Sequence, residues 1–252
     1  RQHRAIEGHV KTVQVKREGR RWSVVLSCDE VPAHPLPATG YSVGLDLGVV
    51  HFATLTDGTV IENPRWARTE ADRLARAQQR LARCQRRSRN RQRARERVAE
   101  IHRKIRRQRA DFHHKTARAL VRDYDVIAVE DLRIANMTRS AAGTVDEPGT
   151  NVAAKGGLNR SILDAAWGLF LVILTSKAED AGREIRTVDP RYTSVTCPVC
   201  GARCTRPRQD TIICAEHGAF DADRVGAYHV ATRAGLGSRH VRIPPAVGSP
   251  RL

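Results

Sequence analysis

Four of the six cysteines fall between residues 197 and 214, and a histidine follows at 217. The stretch reads Cys197-Pro-Val-Cys200-Gly, then Cys214-Ala-Glu-His217-Gly, with thirteen residues between the two knuckles. Zinc takes four soft or borderline donors in a tetrahedron, and two such knuckles on a short ribbon supply them. Cys204, at Cys-x3-Cys spacing from Cys200, competes for the fourth place; His217 is favoured because its knuckle repeats the spacing of the first. Acidic residues flank this ribbon. Asp221 and Asp223 follow it directly, and Asp46 and Glu130 stand at the ends of two apolar runs far upstream. Phosphodiester hydrolysis by two Mg²⁺ ions needs carboxylates from separate elements at one point, where the ions clamp the attacking and leaving oxygens. Mg²⁺ prefers such hard oxygen ligands. Asp46, Glu130 and Asp223 are the candidate ligands of two catalytic Mg²⁺. Asp221 is either an accessory acid or the cap of the last helix. The combination points to a metal-dependent nuclease with one structural zinc.

The elements that must position these residues can be read from patterning. Residues 9–16 and 21–28 are rich in β-branched residues, and Glu18-Gly19 lies between them, which predicts a hairpin. Pro32, Pro35 and Pro37 mark a linker. A buried-type strand is expected over Tyr41–Leu47, with Asp46 near its end. Strands over 51–56 and 59–62 flank Asp57-Gly58, a strong hairpin turn. Residues 66–121 predict two long helices with a sparse apolar stripe (Leu74, Leu81, Val98, Ile101, Ile105, Phe112) and a break near Ser88-Arg89-Asn90. Asp125–Glu130 reads as a short apolar strand ending in a carboxylate. Residues 138–157 predict a mobile loop. One helix is expected over Ser161–Ala181, with Ser161 as N-cap and Gly182 as stop. Another strand at Glu184–Val188 precedes the ribbon, and Ala222–Arg233 is a final helix. This order is that of an α/β domain of the RNase H-like type.

Charge narrows the partners. The chain has 252 residues and a net charge of +17. Between Arg65 and Arg122 there are 21 Lys/Arg against 5 Asp/Glu, so nearly all the excess sits in the two helices. A near single-sign arginine field is the footprint of a polyphosphate partner. Arg76, Arg80, Arg83, Arg87, Arg91, Arg95, Arg103 and Arg106 are the candidate phosphate contacts, with Arg191 before the ribbon as another. His113-His114 is read as surface rather than metal ligand. No run of eighteen or more apolar residues is present, so no membrane partner is expected. The knuckles suit a reducing cytoplasm. The chain opens on Arg1 rather than Met, as expected of a piece of a longer protein.

The motifs Gly44-Leu45-Asp46-Leu47-Gly48, Val129-Glu130-Asp131-Leu132, Tyr192-Thr193-Ser194-x-x-Cys197 and Asp221-Ala222-Asp223 resemble those of the TnpB family. These are transposon-encoded, RNA-guided DNA endonucleases related to the type V CRISPR effectors. The resemblance covers roughly Val10 to Gly235. It implies an RNase H-like (RuvC-type) domain with an Arg-rich helical insertion and a small zinc-ribbon module. It makes Asp46, Glu130 and Asp223 the catalytic acids and implies a guide RNA and a target DNA as partners, in a prokaryotic, nucleoid-associated setting. The implied organisation is an N-terminal β element and linker ending a wedge-like barrel (1–40), RuvC-like parts at 41–64, 123–190 and 221–238, the Arg-rich insertion at 65–122, the zinc ribbon at 191–220 and a tail at 239–252. By the same resemblance Lys155–Arg160 is a candidate lid. The family's Asn two residues after the last acid is Val225 here, and its fourth zinc ligand, usually Cys, is His217. Val225 motivates a second reading, a catalytically silent RNA-guided DNA-binding regulator of transcription. A third, an unguided resolvase, is disfavoured by the ribbon.

Overall fold

The computed structural model describes residues 5–19, 21–144, 147–237 and 241–247. Residues 1–4 of the expected N-terminal element and parts of the tail expected over 239–252 lie outside them. The chain divides into two compact units, one formed by residues up to Pro35 with Trp66–Phe112, the other by Leu36–Arg65 with His113 onward.

In the first unit, β1 (His9–Glu18) and β2 (Arg21–Asp29) pair antiparallel as the expected hairpin. Both of its faces are exposed, Val13, Val15, Trp22 and Val24 among them. Three helices follow in sequence, α1 (Trp66–Thr69), α2 (Ala71–Arg83) and α3 (Arg89–Asp123), the last running on into the second unit. The break falls at 84–88, slightly before the expected position. Ser88 begins α3 rather than interrupting it, its Oγ accepting from the Arg91 N–H at 3.1 Å. Ala94, Ile101 and Ile105 form the buried stripe. Glu70, also buried, receives Lys104 and Arg73.

The second unit holds a five-stranded sheet in the order β5-β4-β3-β6-β7. Its strands are β3 (Ser42–Leu47), β4 (His51–Leu55), β5 (Val60–Glu62), β6 (Val126–Glu130) and β7 (Glu184–Val188). The first three run antiparallel in sequence, and β6 then lies parallel to both β3 and β7. Parallel strands buried on both faces need near-continuous apolar runs, which Val43, Leu45, Ile127, Ala128 and Val129 supply at 0–1% exposure. The β3–β6 register sets Ser42 opposite Val126 and Gly44 opposite Ala128. Two residues on in each strand stand Asp46, next to last in β3, and Glu130, the last of β6.

Between β6 and β7 come α4 (Ile134–Met137), α5 (Val152–Ala165) and α6 (Trp167–Ala181). Two expectations are corrected here. The loop expected over 138–157 stops at Asn151, and the single helix from Ser161 is two helices. The carbonyls of Met137 and Thr138 accept from Lys155 and Asn159, which fixes the Gly-Gly segment as helix. Ser161 is mid-helix, its hydroxyl turned back to the Gly157 carbonyl at 3.2 Å, so it caps nothing. The chain breaks at Ala166, which takes a left-handed conformation (φ 52°), and Gly182 ends α6 as expected. By length and composition Val152–Ala181 could cross a membrane. The break divides it, and Trp167, Phe170, Leu174 and Ala178 are core residues. His113 is corrected as well. It is 1% exposed, lies against Phe52 and Phe170, and donates to the Ala165 carbonyl at 3.0 Å.

The ribbon strands β8 (Thr205–Arg208), β9 (Thr211–Cys214) and β10 (Gly218–Asp221) form a three-stranded antiparallel sheet, and α7 (Ala222–Arg233) follows at once. Helix α7 lies directly on β3. A Cβ on Gly44 would sit 2.7 Å from the Ala227 carbonyl oxygen, so this close approach requires glycine.

Candidate active site

Three carboxylates from three elements meet at the end of the sheet. Asp46 comes from β3, Glu130 from the end of β6, and Asp223 from the first turn of α7. Gly226 leaves room for Asp46, because a Cβ there would meet its Cγ at 2.9 Å. Burial pushes the Asp46 carboxyl well above the ordinary value of 3.8, and the charges of Glu130 and Asp223 push it further. Glu130 is 7% exposed and also raised by burial, against the pull of a hydrogen bond from Thr193. Asp223 is raised by burial and then by Asp221, while His51 and Arg206 oppose the rise. Asp221 is the N-cap of α7, accepting from the Arg224 N–H at 2.9 Å, and its charge still reaches Asp46 and Asp223. Of the two expected roles, the cap of α7 is the one the hydrogen bond fills.

Sequence reading missed two contributors. Thr193 is buried, and its hydroxyl donates toward Glu130 Oε1 at 2.7 Å, with the Pro190 carbonyl as an alternative acceptor at 3.1 Å. Arg206, on β8, is the nearby cation that lowers both Asp46 and Asp223. Its guanidinium also donates to Ser194 Oγ at 2.9 Å. The Thr-Ser pair ahead of Cys197 was visible as a motif; nothing in the spacing of Arg206 marked it. A cleft of about 660 Å³ lies over Asp46 and Glu130, and Arg133, Asn136 and Arg191 line it.

In the ribbon, donor atoms of Cys197, Cys200, Cys214 and His217 all lie within 4.8 Å of one another. Cys200 and Cys214 sulfurs are 3.7 Å apart, and His217 Nδ1 lies 3.8 Å from Cys197 Sγ and 3.7 Å from Cys214 Sγ. A zinc tetrahedron with bonds of about 2.0–2.3 Å has edges of roughly 3.5–3.8 Å, so the donor set fits. Hydrogen bonding, led by the His217 side chain, lowers the Cys214 thiol to about 6. Cys204 is a different case. It is buried, its thiol points to the Ala202 carbonyl, and burial pushes it up to about 12. Its sulfur is not among the donors that converge, which supports His217 in the fourth place. Val225 is fully buried among Cys197, Cys204, Ile212, Cys214 and Phe220, and so ties α7 to the ribbon core.

The predicted phosphate contacts divide into two sets. Arg76, Arg80, Arg83 and Arg95 are exposed. Arg87 occupies the break with φ 66°, and Arg103 lies against Gly19. Two others are used within the fold. Arg91 donates to the Leu81 and Cys84 carbonyls at 3.2 and 3.3 Å, closing the end of α2. Arg106 pairs with Glu18 at 2.8 Å. Arg191 is exposed beside the acid cleft, its N–H donating to Asp189. The Lys155–Arg160 segment is part of α5, not a loop lid.

Residues 13–141 match the family model described as a probable transposase, OrfB_IS605. Residues 167–230 match the Cas12f1-like TNB domain. A protein of Escherichia coli (strain K12) named "Putative RNA-guided DNA endonuclease InsQ" is 38% identical over 201 residues, covering 80% of this chain and 50% of the relative. A Streptomyces pristinaespiralis protein named "Putative RNA-guided DNA endonuclease" is 36% identical over 192 residues, covering 75% and 44%. The chain thus spans about half the length of these curated relatives. A solved CRISPR-Cas12f ternary complex shares the fold at a TM-score of 0.50 and 18% identity, over 86% of this chain and 44% of the other. The TnpB-type motifs and the match over residues 13–141 agree: the chain belongs to the OrfB_IS605 family of probable transposases.

Proposed function

We propose that the chain is the catalytic core of an RNA-guided DNA endonuclease that hydrolyses phosphodiesters at a RuvC-type, RNase H-like site. The observation that carries this reading is the meeting of Asp46, Glu130 and Asp223, three partly or fully buried acids each raised by burial, with the charges of Glu130 and Asp223 raising Asp46 further. Such a cluster is costly unless cations occupy it. Two Mg²⁺ bound there would supply Lewis-acid polarisation of the phosphate and an activated water. The protein's own residues do the rest. Thr193 holds Glu130 in one rotamer, Gly226 admits Asp46 under α7, and Arg206 brings a cation against developing phosphate charge. Zinc in the Cys197, Cys200, Cys214 and His217 set is structural, because all four positions are filled by protein.

In this reading residues 41–64, 123–190 and 221–238 form the nuclease domain, with the Arg-rich segment 65–122 and ribbon 191–220 between its parts. Residues 1–40 close a wedge-like element, and the last residues are a tail. Sequence choice is delegated to pairing between guide RNA and target DNA, while exposed arginines hold backbones in the prokaryotic cytoplasm. The catalytically silent alternative rested on Val225. That side chain packs the ribbon core, so its apolar character has a structural use independent of cleavage.

The test is Mg²⁺-dependent cutting of guide-matched DNA by the full-length protein bound to its native RNA, beside Glu130→Ala. Cutting that is lost in the variant supports the reading. RNA-directed binding with no cutting by the unaltered protein rejects it.

A further inference from the structure

A second cleft opens on the unit that carries the acids. At about 860 Å³ it exceeds the one over Asp46 and Glu130, and the two have no lining residue in common. Three arginines from three segments reach it: Arg122 near the end of α3, Arg224 in α7 and Arg242 in the C-terminal segment. Arg122 is neutralised by Asp123, which accepts from it at 2.6 and 2.9 Å. Among the described residues the guanidinium groups of Arg224 and Arg242 make no ion pair or hydrogen bond; Arg224 is fixed through its backbone N–H alone. Asp57, the remaining acid of the lining, accepts the Tyr124 hydroxyl. The C-terminal segment is anchored by a Val247 N–H bond to the Ala219 carbonyl at 2.7 Å.

The cleft also carries flat apolar surface. Tyr41 is 58% exposed. The half-buried Tyr124 ring is held in place by its bond to Asp57, and the exposed Pro245 lies in the same lining. Unpaired guanidinium groups beside accessible rings match one class of ligand, a single nucleic-acid strand. Its phosphates take the arginines and its bases stack on the rings. A duplex keeps its base faces stacked inside and cannot use the rings.

Position gives this a consequence. Asp223 and Arg224 are successive residues of α7, one at the acid centre and the other in this cleft. Tyr41 lies five residues before Asp46 along an extended segment, about 16 Å at roughly 3.3 Å per residue. We propose that this cleft, on the unit that carries the acid centre, binds a single strand of nucleic acid, gripping it through Arg224, Arg242, Tyr41 and Tyr124. Its use as a guide for the strand being cut rests on the nuclease reading; the binding itself does not.

Photo-crosslinking tests this in EDTA, where no cleavage contributes. The chain is irradiated with single-stranded oligonucleotides carrying 5-iodouracil, as DNA and as RNA, and the crosslinked peptides are mapped by mass spectrometry. Crosslinks at Tyr41 or Tyr124 are expected with either sugar. Arg224→Glu combined with Arg242→Glu should lower their yield about tenfold while leaving crosslinks in the Arg-rich helices unchanged. A circular dichroism melt of the double variant confirms that it folds, and Arg242→Glu alone should give a smaller loss in the same direction. Crosslinks near Asp46 and Glu130 but not at these tyrosines would overturn the cleft and spare the nuclease reading. Crosslinks confined to the Arg-rich helices, or a duplex that competes better than a single strand, would overturn the cleft as well. The first of these two would also count against the nuclease reading.

Discussion

Asp46 is held where its own charge is costly. Burial and two acidic neighbours raise its folded-state proton affinity above the ordinary 3.8. Stability from such a group is fully present below the unfolded value and is lost as pH rises through the raised folded one. At neutral pH the metal-free protein therefore carries a penalty that Asp46→Asn removes. The expected gain in melting temperature at pH 7 is roughly 2–4 °C, the shift for ~1 kcal/mol in a chain of this size. It should vanish near pH 4, as read by circular dichroism melts in EDTA. Thr193 acts on the second acid. Its single hydroxyl proton lies between Glu130 and the Pro190 carbonyl. Thr193→Val removes a donor that lowers Glu130, so the acid limb of the pH–rate profile should move to higher pH. The cleavage rate should fall about 10–100-fold, the usual scale for groups that orient metal ligands. Thr193→Ser should restore both. A rate lost with no shift of the acid limb would leave Thr193 a packing role only.

At the scale of elements, two joints govern the second unit. One is Ala166, whose positive φ lets α5 and α6 meet at an angle. A left-handed alanine costs about 1–2 kcal/mol that glycine avoids, partly offset by glycine's greater unfolded freedom. Ala166→Gly is expected to raise the urea midpoint modestly without changing the m-value. The other joint is the ribbon–α7 junction, where Val225 enters the core that Cys197 and Cys214 help to build. His229 reinforces it by donating to the Thr196 carbonyl at 3.0 Å. Stripping metal from the ribbon should reduce hydrogen-exchange protection in β9 and the first turn of α7 while β6 stays protected. Equal loss in β6 would show that the ribbon is not a separate cooperative unit.

For the molecule as a whole, charge decides how the nucleic acid of the proposed function would be met. Of the arginines named from the sequence, Arg76, Arg80, Arg83 and Arg95 are among the exposed ones, whereas Arg91 closes the end of α2 and Arg106, though exposed, pairs with Glu18. Each phosphate contact contributes about 0.9 to the slope of log affinity against log salt on duplex DNA. Replacing Arg76, Arg80, Arg83 and Arg95 by glutamine should therefore flatten that slope by about 3–4, measured by fluorescence anisotropy across a salt series. Arg106→Gln should instead act mainly on stability, through its pair with Glu18.

Much of this protein was legible in its residues because the signals are local. The knuckles are set by spacing, the turn at Asp57-Gly58 by conformational preference, and the buried strands by unbroken apolar runs. The two strand-end acids were visible as residues, but their convergence depends on the parallel pairing of β3 and β6, which the structure supplies. Only the tertiary structure decided the rest, because it depends on what lies across space. The sequence around Ser161 carries a capping residue, yet the bonds from Lys155 and Asn159 to the preceding turn draw the helix back to Val152. His113 looked like a surface residue in a basic helix until Phe52 and Phe170 closed over it. Thr193 stands in a visible motif and Arg206 in none, and both gain their contacts to the acids from the ribbon's placement beside them. Arg91 and Arg95 are alike as letters, and the carbonyls at the end of α2 distinguish them, since a guanidinium that satisfies backbone oxygens has fewer donors to offer a phosphate.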